Sequence, residues 1–109
     1  MNKEVLTEKI RIDIHKLGVL YRGELEVHFD NSGTRFLIIT ALRDGKAHLN
    51  GNELAKRYGL TVDQVRYTIH DINRRIADHL ELKNEKFILN KRNGSGYYLN
   101  PKYKVSVKR

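Results

Sequence analysis

Apolar and polar residues alternate strictly along Lys9-Ile10-Arg11-Ile12-Asp13-Ile14-His15, placing Ile10, Ile12 and Ile14 on one face and Arg11, Asp13 and His15 on the other. A side-chain period of two belongs to a half-buried strand. The stretch from Gly18 to Phe29 reads as a hairpin turning at Arg22-Gly23-Glu24, with Leu25, Val27 and Phe29 sharing a face. Together these predict a small antiparallel meander. Asp30 to Thr34 follows as a turn that can also cap a helix, and the helix expected over residues 34–44 (TRFLIITALRD) is apolar almost all round. Such a helix belongs in a central, buried position. Asp44-Gly45 ends it, and Lys46-Ala47-His48-Leu49 is expected to add one short strand.

The period then changes to that of a helix. Asn50 and Glu53 stand at capping-box spacing and open a helix carrying Leu54 and Ala55. Gly59 lies where the chain must leave that helix in a left-handed conformation. Thr61-Val62-Asp63-Gln64 is a second capping box, in which the Thr61 hydroxyl and the Gln64 amide satisfy each other's orphan backbone donors. From there Val65, Ile69, Ile72, Ile76 and Leu80 recur at intervals of four, three, four and four, one apolar stripe along a helix from Thr61 to Glu81. A second hairpin is expected from EKFILN, the turn KRNGSG and YYLN, with Asn93-Gly94 as its turn signal.

Charge changes the picture more than composition does. The 109 residues carry a formal net charge of +8, yet residues 83–109 alone hold eight basic and one acidic side chain. A localised positive field attracts polyanions by releasing condensed counterions, so nucleic acid leads the candidate partners. The chain has no cysteine, which excludes disulfides, thiolate metal sites and cysteine nucleophiles. No apolar run is long enough to span a bilayer and the first residues lack a signal-peptide layout, so a cytoplasmic protein without membrane contact is expected.

Ala55 is small where two helices must pass closely, and Leu54, Leu60, Val65 and Ile69 are apolar where both must lock against a third. This is helix-turn-helix spacing, which lets a second helix enter a DNA major groove. With the stripe buried, the opposite face shows Asp63, Gln64, Arg66, Tyr67, His70, Asp71, Asn73 and Arg74. Arginine, glutamine and asparagine can pair two-pronged with purine edges, and Asp71 could accept from cytosine. A charged helix face is more often simply solvated; the hinge, the capping boxes and the basic hairpin together favour a DNA-reading face.

The helix VRYTIHDINRRI and the hairpin NGSGYYL resemble the winged helix-turn-helix domain of OmpR/PhoB-type transcription factors over roughly residues 9–100. The tighter LAKRYGLTVDQVRYTIHDI is similar also to the winged helices of biotin-repressor and sugar-operon regulators, which lack the leading meander. The resemblance implies an α+β winged helix-turn-helix fold of strand meander, three helices and hairpin wing, with a lead over 1–8 and a basic tail over 101–109. It implies base contacts from Gln64, Arg66, His70, Asp71 and Arg74, phosphate or sugar contacts from Tyr67 and Asn73, and a flanking-groove position for Lys91, Arg92 and Asn93. Positions that are basic in many such domains are His70 and Asp71 here, and the wing position often held by arginine is Asn93, so the sequence preference should be this chain's own. Such domains usually follow a phosphorylatable receiver; none is expected here, which suggests a stand-alone regulator.

Other signals are weaker. Gly94-Ser95-Gly96 lacks the strand-to-helix context of a nucleotide loop, and the five histidines show no H-x-x-x-H pair, so neither a cofactor nor a metal is expected. Ser32, Ser95 and Ser106 sit in turns or tail, outside any nucleophile elbow, so neither catalysis nor a small-molecule substrate is expected. Tyr97, Tyr98 and Tyr103 lie among lysines and arginine, a mix that can stack single-stranded bases but more often packs a wing against a core. The tail KYKVSVKR could be an added strand, a dimer edge or a disordered basic arm. The expected function is sequence-specific duplex DNA binding in transcription regulation. A palindromic target would imply a homodimer. The rivals are an architectural, excisionase-like DNA binder and a winged helix used for protein–protein contact.

Overall fold

The alternating isoleucines form a strand, β1 (Ile10–His15), whose Ile12 and Ile14 are buried while Arg11 faces solvent. A computed structural model describes residues 10–44, 48–83, 85–91 and 96–108. β2 (Val19–Arg22) and β3 (Leu25–His28) complete the expected antiparallel meander, with Asp13 opposite Tyr21 and Tyr21 opposite Glu26. Leu20, Val27 and Phe29 continue the buried face of Ile12 and Ile14.

Three helices follow and share one core with that face. α1 (Thr34–Asp44) buries Phe36, Ile38, Ile39 and Leu42 but leaves Leu37 partly exposed, so it is less enclosed than its composition suggests. α2 (Gly51–Tyr58) and α3 (Val62–Leu80) are joined by Gly59-Leu60-Thr61. Both expected capping boxes form. The Glu53 N–H donates to Asn50 Oδ1 at 2.8 Å, and the Gln64 N–H donates to Thr61 Oγ1 at 3.0 Å. Gly59 takes the left-handed conformation (φ 66°, ψ 37°), and the Leu60 N–H reaches back to the Ala55 carbonyl at 2.9 Å. All five stripe residues of α3, Val65 to Leu80, are buried.

β4 (Ile88–Lys91) and β5 (Gly96–Leu99) form a separate two-stranded antiparallel sheet. Glu85, Lys86 and Phe87 were expected in its first strand but are not paired: the Glu85 N–H turns back to the Leu82 carbonyl, and the Asn100 N–H takes the Phe87 carbonyl. The short strand expected over 46–49 reduces, among the described residues, to a single bridge between Leu49 and Tyr97. That bridge explains Gly96, where an added Cβ would stand 2.6 Å from the Leu49 carbonyl carbon. The lead over 1–8 and the turn residues Arg92 to Ser95 lie outside the described residues.

The tail contributes an added strand. β6 (Tyr103–Lys108) runs parallel to β1, with Ile10 opposite Tyr103 and Ile12 opposite Val105, giving a mixed sheet ordered β3-β2-β1-β6. Tyr103 is buried against the Phe87 ring, 6.1 Å between centroids. The architecture is therefore α+β: three helices and a mixed four-stranded sheet share one core, with a small second sheet beside them. Among the described residues no helix is long and apolar enough to cross a membrane.

Two arginines join helix to sheet. Arg75 on α3 donates to the His28 carbonyl at 2.6 Å, with its guanidinium 4.5 Å from the Phe29 ring centroid. Arg22 on β2 donates to the Leu80 and Glu81 carbonyls at 2.9 and 2.8 Å, closing the C-terminal end of α3 with a cation where the helix dipole favours one. The chain leaves α3 through Glu81 at φ 53° and ψ 48°, a left-handed conformation in which the Cβ of any residue but glycine costs roughly 1–2 kcal/mol. Glu81→Gly is therefore expected to stabilise the fold by about 0.5–1 kcal/mol after its added unfolded-state entropy is deducted. A rise in the urea midpoint at unchanged m-value is the expected result.

Candidate nucleic-acid interface

The exposed side of α3 divides into two flanks. Asp63, Gln64 and Tyr67 lie on one, around a shallow depression with Leu60 and Thr68. Arg66, His70 and Arg74, spaced by four residues, lie on the other and face the β4–β5 sheet. Between that flank and β4 runs an open groove of about 590 Å3. Lys83, Lys86 and Asn90 line its far side. Two carboxylates, Asp78 and Glu85, also border it.

The groove owes its shape to Asn73. Its Nδ2 donates to the Ile88 carbonyl at 3.0 Å, and its Oδ1 accepts from the Ile88 N–H at 2.7 Å. This two-pronged clasp mimics a strand pair and fixes β4 at one distance from α3. On the other side of the hairpin, Leu49 and Tyr97 exchange backbone hydrogen bonds at 2.8 and 3.3 Å. The β4–β5 sheet is thus held at both edges.

The expected contact residues are not equally available. Arg66 keeps 71% of its side-chain surface exposed, and its pairing with Asp63 at 3.3 Å is a surface contact of little energetic weight. Tyr67 is 71% exposed and His70 is exposed. Gln64 uses its Oε1 to accept from the Thr61 N–H at 2.8 Å, which leaves the amide nitrogen as the end that can reach outward. Lys91 is exposed at the end of β4, whereas Arg92 and Asn93 lie outside the described residues. Asn73 and Asp71 are both engaged within the fold. The Asn73 amide is spent on Ile88, so it fastens the hairpin.

Asp71 is turned into the fold, its side chain only 15% exposed. It accepts from Arg35 Nε of α1 at 2.6 Å through one oxygen and from Arg74 Nη2 at 2.6 Å through the other. Both carboxylate oxygens thus accept from arginine within the fold. The hydrogen bond from Arg74 holds the Asp71 carboxyl below its ordinary 3.8, with burial opposing and Arg35 adding to the effect. The same contact pushes Arg74 above its ordinary value. Among the described residues no three His, Cys, Asp or Glu side chains are grouped to hold a metal ion.

Arg35, Lys83 and Lys86 were not among the expected contact residues. The concentration of charge after residue 82 carried a signal for the two lysines. Nothing near Arg35 in sequence marks it, because its partner is 36 residues away. Comparison with family models, curated proteins and solved structures finds no match for this chain.

Two predictions follow from these contacts. Asn73→Ala leaves the buried N–H and C=O of Ile88 without their partner, a cost of about 1–3 kcal/mol. Amide exchange should then accelerate through Ile88–Lys91 more than in β1. Because the Asp71 carboxyl is held below its unfolded value, its contribution is present above that value and is lost as pH falls through the lowered one. The urea midpoint, followed from about pH 5 to about pH 2, should therefore fall less steeply in Asp71→Asn than in the parent protein.

Proposed function

We propose that this chain is a winged helix-turn-helix domain that binds duplex DNA sequence-specifically and regulates transcription. In this reading α2 and α3 are the helix-turn-helix pair, α3 enters the major groove, and the β4–β5 hairpin is the wing over the flanking backbone or minor groove. The observation that carries it is the row Arg66, His70 and Arg74 facing Lys83 and Lys86 across an open groove, on a helix whose other side is wholly buried. A rigid helix presenting arginine, histidine and arginine at four-residue spacing suits base edges, and cations on the opposite wall suit phosphates. The hinge between the helices is fixed by Gly59 and the Thr61–Gln64 capping box, as docking of one helix by the other requires.

Selection of bound sequences from a random duplex pool at about 150 mM salt, with RNA and single strands as competitors, tests the reading. A defined motif is expected, and its symmetry would report whether a homodimer binds. Recovery of only AT-rich or bent duplex would point instead to an architectural binder. No duplex retention would refute the reading and direct attention to a protein partner. Within it, Arg66→Ala should cost about 1–3 kcal/mol on the selected motif and relax preference at one position. Lys91→Ala should weaken all duplexes alike and flatten the salt dependence by about 0.9 in log–log slope. Equal losses from Arg66→Ala on motif and random duplex would remove α3 from the reading role.

A further inference from the structure

Asp71 is an acid in the middle of a helix face otherwise suited to a polyanion, and a carboxylate there repels phosphate. Its placement gives it a different use. One oxygen holds Arg74, on its own helix, and the other holds Arg35, on α1, each at 2.6 Å. The two arginine side chains remain 44% and 59% exposed, whereas the aspartate side chain between them is only 15% exposed. Two cations are thus presented outward from one half-buried anchor, each with part of its donor fork already occupied. A free arginine samples many rotamers and is captured by whichever phosphate is nearest, which adds affinity without sequence information. An anchored arginine has fewer donors to spend and a fixed direction in which to spend them. Pre-organised donors favour the one base edge they fit and lose less entropy in reaching it.

We infer that Asp71 is a specificity-determining positioning residue of the duplex-binding face. It aims Arg74 and Arg35 and cancels one unit of their charge, holding down affinity for unrelated sequence. This rests on the duplex-binding reading above. It concerns discrimination between sequences, not binding itself.

The test compares wild type, Asp71→Asn, Asp71→Glu, Arg74→Ala and the double variant Asp71→Asn/Arg74→Ala on the selected motif and on random duplex, across a salt series. Circular dichroism confirms that each is folded. Asp71→Asn should bind random duplex more tightly, with a slope steeper by about 0.9, and its motif-to-random ratio should fall roughly tenfold. Asp71→Glu keeps the charge and should keep the slope, with a ratio between those two. In the Arg74→Ala background, adding Asp71→Asn should change the ratio much less than it does alone, the signature of action through Arg74.

A ratio unchanged in Asp71→Asn, with both affinities raised alike, would reduce Asp71 to a local charge and overturn the inference. Both affinities lowered alike, at an unchanged slope, would assign it a purely structural role and overturn it equally. A ratio unchanged in Asp71→Glu would decide against positioning even if the asparagine variant failed to fold. Absence of a selected motif with the wild type would instead defeat the duplex-binding reading, so the two failures are distinguishable.

Discussion

Burial of one stripe on α3 is the constraint on which the other elements depend. Val65, Ile69, Ile72, Ile76 and Leu80 are all buried, and they run the length of a 19-residue helix. A helix with its inner side committed over that length cannot rotate about its axis without exposing isoleucine to water, at about 25 cal/mol for every Å2 uncovered. Its outer residues are therefore fixed in direction by its inner ones. Arg66, His70 and Arg74 face the hairpin because Ile69 and Ile76 face the core. The exposed row is in this sense a consequence of the hydrophobic spacing.

Position along the axis is fixed by polar contacts at the two ends and in the middle. The Thr61–Gln64 box starts the helix, and Arg22 closes it by donating to its last carbonyls. Arg75 ties the helix to β3 through the His28 carbonyl, and Asn73 ties it to β4 through Ile88. Each contact binds a side chain to backbone, and backbone positions are less mobile than side-chain tips. The hairpin and the meander are thereby referred to the same helix, so the groove between α3 and β4 has walls that keep their spacing.

How much of this was legible in sequence depended on the range of the interaction. The limits of α1, the capping boxes, the stripe and the left-handed Gly59 are written within a few residues of one another, and the structure has them where the spacing put them. The tail was not decidable, because alternation of Tyr103, Val105 and Val107 says only that a strand is available. Its place is set by the free edge of β1 and by Tyr103 meeting Phe87, both remote in sequence. Asp71 and Asn73 look like surface residues on a helical projection. They are drawn inward by Arg35 and by the backbone of Ile88, partners that no local pattern announces. Glu81 in a left-handed turn likewise breaks the expectation of glycine at a helix end, and the Arg22 guanidinium on its carbonyl helps hold it there.

The distribution of acids sharpens the view of the charged surface. Of the two carboxylates that border the groove, Glu85 is paired with Lys102 at 2.6 Å, and Asp71, elsewhere on α3, is held by two arginines. Among the described residues Lys83, Lys86 and Lys91 form no ion pair, and all three are exposed on the hairpin side of α3. The formal charge of the last quarter of the chain is therefore divided. Lys102 is spent within the fold and Lys104 lies on the sheet, opposite Arg11, while the loop and hairpin lysines stay free beside the helix. A polyanion approaching this molecule would feel unspent charge along the groove and anchored charge on the helix itself. Under the proposed duplex-binding reading, attraction and discrimination would fall to different side chains, and each could be altered without removing the other.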